Sequence, residues 1–212
     1  MTFGVFLLVL LTAPPPPSFA QRVQKAYARQ EPDTLRALLA RADSQGDSLL
    51  ARYRLYPLTE DASLLDEIPR RLDDAPAREW ALLSGLWSYR AGEASLFGAV
   101  DYGRHSAKLL ETARDRDADD PYVLLVGGQS LLFRPAIAGR DAEAAADHFA
   151  RLARLAEDGA AEGISVAEAR TWEWLACREA GRDDRAHALH ETLLGDELPP
   201  LYRQFLKDPP SV

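Results

Sequence analysis

The sequence has few of the residues that build disulfides, metal sites or glycan sites. Among its 212 residues cysteine occurs once, at Cys177, and asparagine does not occur at all. A single cysteine excludes an internal disulfide and a cysteine-based zinc site. Cys177 lies in an apolar helical pattern, which favours burial as a small hydrophobic side chain. Without asparagine there is no N-glycosylation acceptor and no Cys-His-Asn catalytic set.

Lysine is also scarce, and acidic residues outnumber basic ones. The formal net charge is -8, and only three of the 25 basic residues are lysine. An acidic chain repels phosphate backbones, so we expect no nucleic-acid partner. The same repulsion disfavours binding to an anionic membrane surface, and we expect no membrane insertion of the mature chain.

The chain begins with a short apolar run. Residues 3–13 are too few to span a bilayer, which needs about 20 residues, and the prolines at 14–17 end any helix there. Ser18-Phe19-Ala20 then offers small residues at the positions that a signal peptidase reads. The pattern predicts a signal peptide over 1–20, cleaved after Ala20, and a single exported domain over 21–212 that is periplasmic or secreted.

Two details qualify this prediction. No lysine or arginine precedes the apolar run, so an uncleaved membrane anchor remains the alternative. No cysteine follows the run, which excludes a lipid-anchored lipoprotein.

The helical period dominates the rest of the chain. In residues 142–157, for example, Ala145, Phe149 and Leu152 recur at steps of three and four and form one apolar stripe. No window shows the alternation of a half-buried strand, so the predicted class is all-α. The predicted helices span 22–30, 33–44, 48–56, 61–72, 76–90, 94–116, 120–133, 141–157, 164–180, 183–194 and 199–207.

Glycines placed to close helices recur about every 45 residues, at Gly46, Gly92, Gly139 and Gly181. A small residue then follows in the next helix, as Ala186 does after Gly181. The segment 181–194, with prolines beyond it, resembles the second helix of a tetratricopeptide repeat, although that family repeats about every 34 residues. The resemblance implies a helical-hairpin solenoid whose concave groove binds peptides or partner helices. An irregular α-bundle is the alternative.

Candidate catalytic patterns are weak. His187 and His190 share one helix face and could hold a metal, but the His-Glu-x-x-His signature is absent and an exposed polar face is favoured. Residues 127–130 are rich in glycine but lack the Gly-Lys-Ser/Thr of a phosphate loop. The serines lack the Gly-x-Ser-x-Gly elbow of hydrolases. We therefore expect no enzyme, no cofactor and no metal.

Three segments combine arginine with aromatic or amide side chains near helix ends, at 52–57, 87–90 and 129–135. Arginines beside aromatic rings on adjacent helices can bind carboxylates. The alternative is that their stems cover the core and their head groups cap helices. The candidate binding residues are Arg54, Tyr56, Arg90, Gln129 and Arg134.

The sequence therefore favours an exported, non-enzymatic module that binds a peptide or partner protein in a helical-repeat groove. A transporter-associated protein that binds a small carboxylate is the alternative. A metal-dependent enzyme using His187 and His190 is the least favoured class.

Overall fold

The computed structural model describes residues 16–212, and in this part of the chain every regular element is helical. The predicted all-α class is confirmed. The apolar run of the predicted signal peptide, residues 3–13, lies outside the described residues. The helices are α1 (Phe19–Ala28), α2 (Pro32–Leu39), α3 (Gln45–Thr59), α4 (Ala77–Glu93), α5 (Leu96–Arg116), α6 (Pro121–Phe133), α7 (Ala142–Glu157), α8 (Val166–Glu179), α9 (Asp183–Gly195) and α10 (Pro200–Lys207), with short 3-10 turns at Ala62–Leu65 and Ala136–Ala138.

The second half of the chain is built from helical hairpins. Helix α4 packs along α5, α6 along α7, and α8 against both α7 and α9. The α4–α5 pair is joined near its middle by the hydroxyls of Ser84 and Ser106, 3.1 Å apart. In the next pair Gly128 leaves room for the buried ring of Phe149. This succession of hairpins is a helical repeat-like bundle.

Helices α4 and α6 run in the same direction. The Arg78 guanidinium, in the first turn of α4, lies over the ring of Tyr122 in the first turn of α6, 4.7 Å from its centroid. Near the helix middles, Val126 approaches Gly85. The α4–α5 connection and the α6–α7 connection therefore lie at one end of the bundle, which we call the hairpin end.

Helix α8 follows the direction of α6. The Tyr122 hydroxyl, at the start of α6, donates to the carbonyl of Gly163, three residues before α8. At the other end of α6, the ring of Phe133 contacts Trp172 in α8. The start of α8 and the end of α9 consequently lie opposite the hairpin end.

The first and last helices meet. Helix α1 packs on α3, while α10 packs on both α8 and α1. The amide of Gln30 donates to Gln204 at 2.7 Å. The C-terminal helix thus covers surface of α1 and α8 that would otherwise face solvent.

The predicted helix over 61–72 is wrong. Only a 3-10 turn forms there, at Ala62–Leu65, and residues 66–76 are irregular. Pro69 cannot donate a backbone hydrogen bond. Side chains bond the backbone carbonyls of this stretch instead, at 2.8–3.0 Å. The carbonyl of Leu64 accepts from Arg52, and that of Leu65 accepts from Arg90. The carbonyl of Pro69 accepts from Trp87, and that of Arg70 accepts from His105.

Two of the four predicted glycine turns are confirmed. Gly139 and Gly181 have positive φ angles of 85° and 72° and follow the ends of helical segments. The other two predictions are wrong. Gly46 lies in the first turn of α3, where Ser44 is the N-cap, and Gly92 lies inside α4. Glycine therefore closes helical segments at only two of the four predicted positions, both in the C-terminal half of the chain.

Helix α1 begins just before the predicted domain boundary. Ser18 caps it by accepting from the backbone of Gln21, whose side chain accepts from the Ser18 backbone in return. Ala20 is buried against Gly163. Residues 18–20 thus form the cap and first turn of the folded domain. In the described part of the chain, 16–212, no helix is long and apolar enough to cross a membrane.

Candidate functional site

Arg54 of α3 forms a buried ion pair with Glu168 of α8. Both side chains are almost completely shielded from solvent, and the guanidinium bonds both carboxylate oxygens. Its second Nη also reaches the carbonyl of Gly163. Burial disfavours the charged guanidinium more than any single neighbour favours it, but the Glu168 carboxylate and the surrounding tyrosines together outweigh burial, and the pKa of Arg54 is raised.

Tyrosines surround this ion pair. The rings of Tyr27, Tyr53 and Tyr122 lie 4.7, 5.5 and 5.8 Å from the guanidinium carbon of Arg54. The hydroxyl of Tyr202, on α10, donates to Glu168 at 3.3 Å. Helices α1, α3, α6, α8 and α10 therefore converge on one polar centre. Arg54 is committed to partners within the chain, and its place is the interior of the bundle.

A chain of aromatic contacts runs from this centre towards the surface. The Tyr53 hydroxyl donates to the amide oxygen of Gln129, and its ring stacks on Tyr89. Tyr89 stacks in turn on Tyr56, with ring centroids 4.7 Å apart, and the Tyr56 hydroxyl donates to the exposed Glu93. Three of the five candidate residues, Arg54, Tyr56 and Gln129, thus belong to one network. Tyr53 and Tyr89, which were not among the candidate binding residues, also belong to this network.

Arg90 lies beside a surface cavity of about 340 Å³ at the hairpin end. Its guanidinium lies over the rings of Trp87 and Tyr102, 5.2 and 5.4 Å from their centroids, and it donates to the carbonyl of Leu65 at 2.8 Å. The cavity is lined by Ala62, Leu65, Asp66, Arg90, Glu93, Ala94, Ser95, Gly98 and Tyr102. Arg90 is the candidate arginine that a ligand entering this cavity would meet.

Arg134 lies apart from this network, at the end of α6. Its Nε donates to the carbonyl of Ser130 and one Nη to the Ser130 hydroxyl, at 2.9 and 3.0 Å. It therefore caps its own helix, which was the alternative reading of the arginine segments. Its charge helps to lower the pKa of Arg114 on α5, after burial of that side chain.

The histidine pair on α9 is divided between two environments. His187 is exposed and lies 3.4 Å from Glu191, whereas the His190 ring packs near Trp174. Within residues 16–212 no group of three His, Cys, Asp or Glu side chains could hold a metal. Cys177 is buried, and burial raises the pKa of its thiol.

The hairpin end carries a set of exposed apolar side chains. Seven large apolar residues are exposed within 16–212, and five of them lie at this end. Phe97 is 88% exposed and Ile137 is 98% exposed. We call these five residues the apolar rim: Leu96, Phe97, Val100, Phe133 and Ile137. None of the rim residues was among the candidates from the sequence. Val100 is 49% exposed, and the buried residues of α5 are Ser106, Leu109, Leu110 and Ala113.

Comparison of the chain with protein-family models, curated proteins and solved structures found no match. The tetratricopeptide resemblance therefore rests on the sequence pattern alone, and function has to be argued from the geometry.

Proposed function

We propose that this chain is a non-enzymatic interaction module of the tetratricopeptide-like kind, exported through its N-terminal segment, and that it docks a partner protein on the apolar rim. The partner presents apolar side chains on a helix or an extended segment. The observation that carries the proposal is the concentration of exposed Leu, Phe, Val and Ile at the hairpin end.

The interior of the bundle supports docking at the rim over docking in an inner groove. The inner helices meet around Arg54 and Glu168, and α10 packs across α1 and α8. A peptide entering there would have to displace the Tyr202 and Glu168 contact and separate buried charges. A partner that binds surface residues at the helix connections would require no such rearrangement.

The composition of the rim also supports a protein partner. Burying a Phe, Leu or Ile side chain contributes about 1.5–3 kcal/mol, and aromatic side chains dominate the energetics of many interfaces. Phe97 and Ile137 are nearly fully exposed, so a partner could bury almost all of each side chain. The adjacent cavity, with Arg90 and Glu93, supplies polar groups for the edge of such an interface.

The experiment compares variants at the two ends of the bundle. The rim variant carries Phe97→Ser and Ile137→Ser. The matched control carries Val166→Ser and Leu194→Ser, which remove two exposed apolar side chains at the opposite end. Both are expected to keep the helical circular dichroism of the parent chain, because all four side chains are exposed.

Tagged proteins are crosslinked in the native envelope fraction and recovered. We expect the same partner band with the parent chain and with the control, and its loss with the rim variant. Equal recovery by both variants, or no specific band with the parent chain, would refute docking on the rim.

A further inference from the structure

Two basic side chains, Arg114 and His148, approach one another where α5, α6 and α7 meet, and the charge of a third, Arg134, acts on Arg114. Arg114 comes from α5, Arg134 from the end of α6 and His148 from α7. Gly127 of α6 lies beneath two of them. A Cβ built at Gly127 would be 3.2 Å from an Nη of Arg114 and 3.6 Å from Nε2 of His148. The absence of a side chain at this position lets both groups approach the helix backbone.

Arg114 has no partner within residues 16–212: it forms neither a hydrogen bond nor an ion pair there, although its side chain is partly buried. Its pKa is lowered, first by burial and then by the charge of Arg134. Arg182 shows the usual situation in this acidic chain, since hydrogen bonds with Glu143 and Asp147 raise its pKa. A half-buried arginine beside a second arginine is the arrangement expected where a counter-anion is supplied from outside.

His148 is oriented towards the same place. Its Nδ1 donates to the carbonyl of Ala144 at 2.8 Å, which leaves Nε2 facing Gly127 and Arg114. Burial lowers the pKa of His148, the Ala144 carbonyl and Asp147 oppose this, and Arg114 and Arg151 add to it.

The acidic groups nearby already have cationic partners. Asp147 pairs with Arg182, and Asp119 pairs with Arg151. No carboxylate is among the groups that shift the pKa of Arg114.

We propose that Arg114, Arg134 and His148 form a binding site for an oxyanion, that is, a carboxylate or phosphate group. The guanidinium of Arg114 binds two oxygens of the anion, the geometry in which arginine binds carboxylate and phosphate most strongly. Arg134 bonds Ser130 through its Nε and one Nη, and its charge adds to the positive charge at Arg114. His148 takes up a proton when the anion arrives and donates from Nε2. The site shares no residue with the apolar rim, although Arg134 directly follows Phe133 of the rim, and its test by anion binding does not depend on the partner proposed above.

The test is calorimetry on the full chain with succinate and, separately, inorganic phosphate, at a pH just below the ordinary histidine pKa of about 6.5. We expect saturable binding of at least one anion. Binding of succinate alone identifies a carboxylate site, binding of phosphate alone a phosphate site, and binding of both a general oxyanion site. Arg114→Gln should weaken binding about tenfold or more. Arg104→Gln, an exposed arginine on the same helix, removes the same charge and should leave binding unchanged.

Two further measurements separate a site from a structural role. Arg114→Gln should fold with equal or higher thermal stability, because it removes an unpaired, partly buried charge. In the parent chain the anion should raise the pKa of His148, followed by its imidazole proton resonance. Absence of saturable binding for both anions, or equal weakening by Arg104→Gln and Arg114→Gln, would overturn the proposal.

Discussion

Arg54 on α3 and Glu168 in the first turn of α8 form a bidentate ion pair, although the two residues are 114 positions apart in the sequence. The pair is enclosed by tyrosines from α1, α3, α6 and α10. It therefore links the N-terminal helices to the last hairpin and to the C-terminal helix. A contact of this kind fixes how the ends of a helical repeat meet.

Removing one member of this pair should destabilise the protein strongly. Arg54→Met leaves the Glu168 carboxylate buried without its counter-charge, so the free energy of unfolding should fall by about 3–5 kcal/mol. Combining Arg54→Met with Glu168→Leu should recover much of that loss, because no buried charge remains. Urea unfolding measures all three values. The control is Arg36→Met, which breaks the exposed pair with Asp33 and should cost less than about 1 kcal/mol. Equal losses for Arg54→Met and Arg36→Met would contradict this account.

The buried tyrosines should make the fold sensitive to alkali. Burial raises the pKa of Tyr27 to about 12, and it also raises the pKa values of Tyr53, Tyr56, Tyr89, Tyr122 and Tyr202. Above pH 10, tyrosines of the unfolded chain lose their protons while the folded ones keep theirs. The unfolded state then binds fewer protons, so the free energy of unfolding falls as pH rises from about 10 to 12.

Tyrosinate absorbance and helical circular dichroism, followed in one alkaline titration, measure this effect. We expect tyrosinate to appear together with the loss of helix. Ionisation of most tyrosines near pH 10, with the helix signal intact, would show that their protons are not held by the fold.

Helix α7 was predictable because one apolar stripe decides it. Phe149 and Leu152 of α7 lie in the predicted stripe and are fully buried. The segment 66–76 was not predictable in this way. Its apolar residues fit a helical period, but Pro69 and two side-chain donors from other helices, Trp87 and His105, favour an irregular path. Such donors come from tertiary structure, which local periodicity does not contain.

The candidate site was predictable only in part, for a related reason. Segments that combine arginine with aromatic or amide side chains identified Arg54, Tyr56 and Gln129, which do share one network. The pattern could not show that Arg54 faces Glu168 inside the bundle, because that contact depends on how the chain ends meet. Arg114 and His148 lie on two different helices, so no pattern of neighbouring residues in the sequence brings them together.

The 3-10 turn at 62–65 and the irregular segment that follows it should loosen when one of their side-chain donors is lost. Arg90→Met keeps the packing of the stem but removes the hydrogen bond to the Leu65 carbonyl. A hydrogen bond from a charged group contributes about 1.5–3 kcal/mol, so amide exchange across 62–72 should accelerate about tenfold or more. Hydrogen exchange with mass spectrometry resolves the segment.

Arg134→Met is the control for that experiment. It removes the same kind of side chain, but the bonds lost are those to Ser130 at the end of α6, and none is to residues 62–72. Its exchange across 62–72 should match the parent chain. Unchanged exchange in Arg90→Met would show that Arg52, Trp87 and His105 hold the segment without Arg90.

Two glycines within helices should respond in opposite directions to alanine. At Gly128 an added Cβ would lie 2.5 Å from Cζ of the buried Phe149 ring, so α6 and α7 would have to separate. Gly128→Ala should therefore lower the free energy of unfolding by about 1–3 kcal/mol. At Gly103, in α5, nothing lies within 4 Å of the added atom. Gly103→Ala should raise stability by about 0.5–1 kcal/mol, because alanine loses less backbone entropy than glycine in a helix. Urea unfolding of both variants measures the difference, and stabilisation by Gly128→Ala would mean that the α6–α7 contact is looser than its geometry indicates.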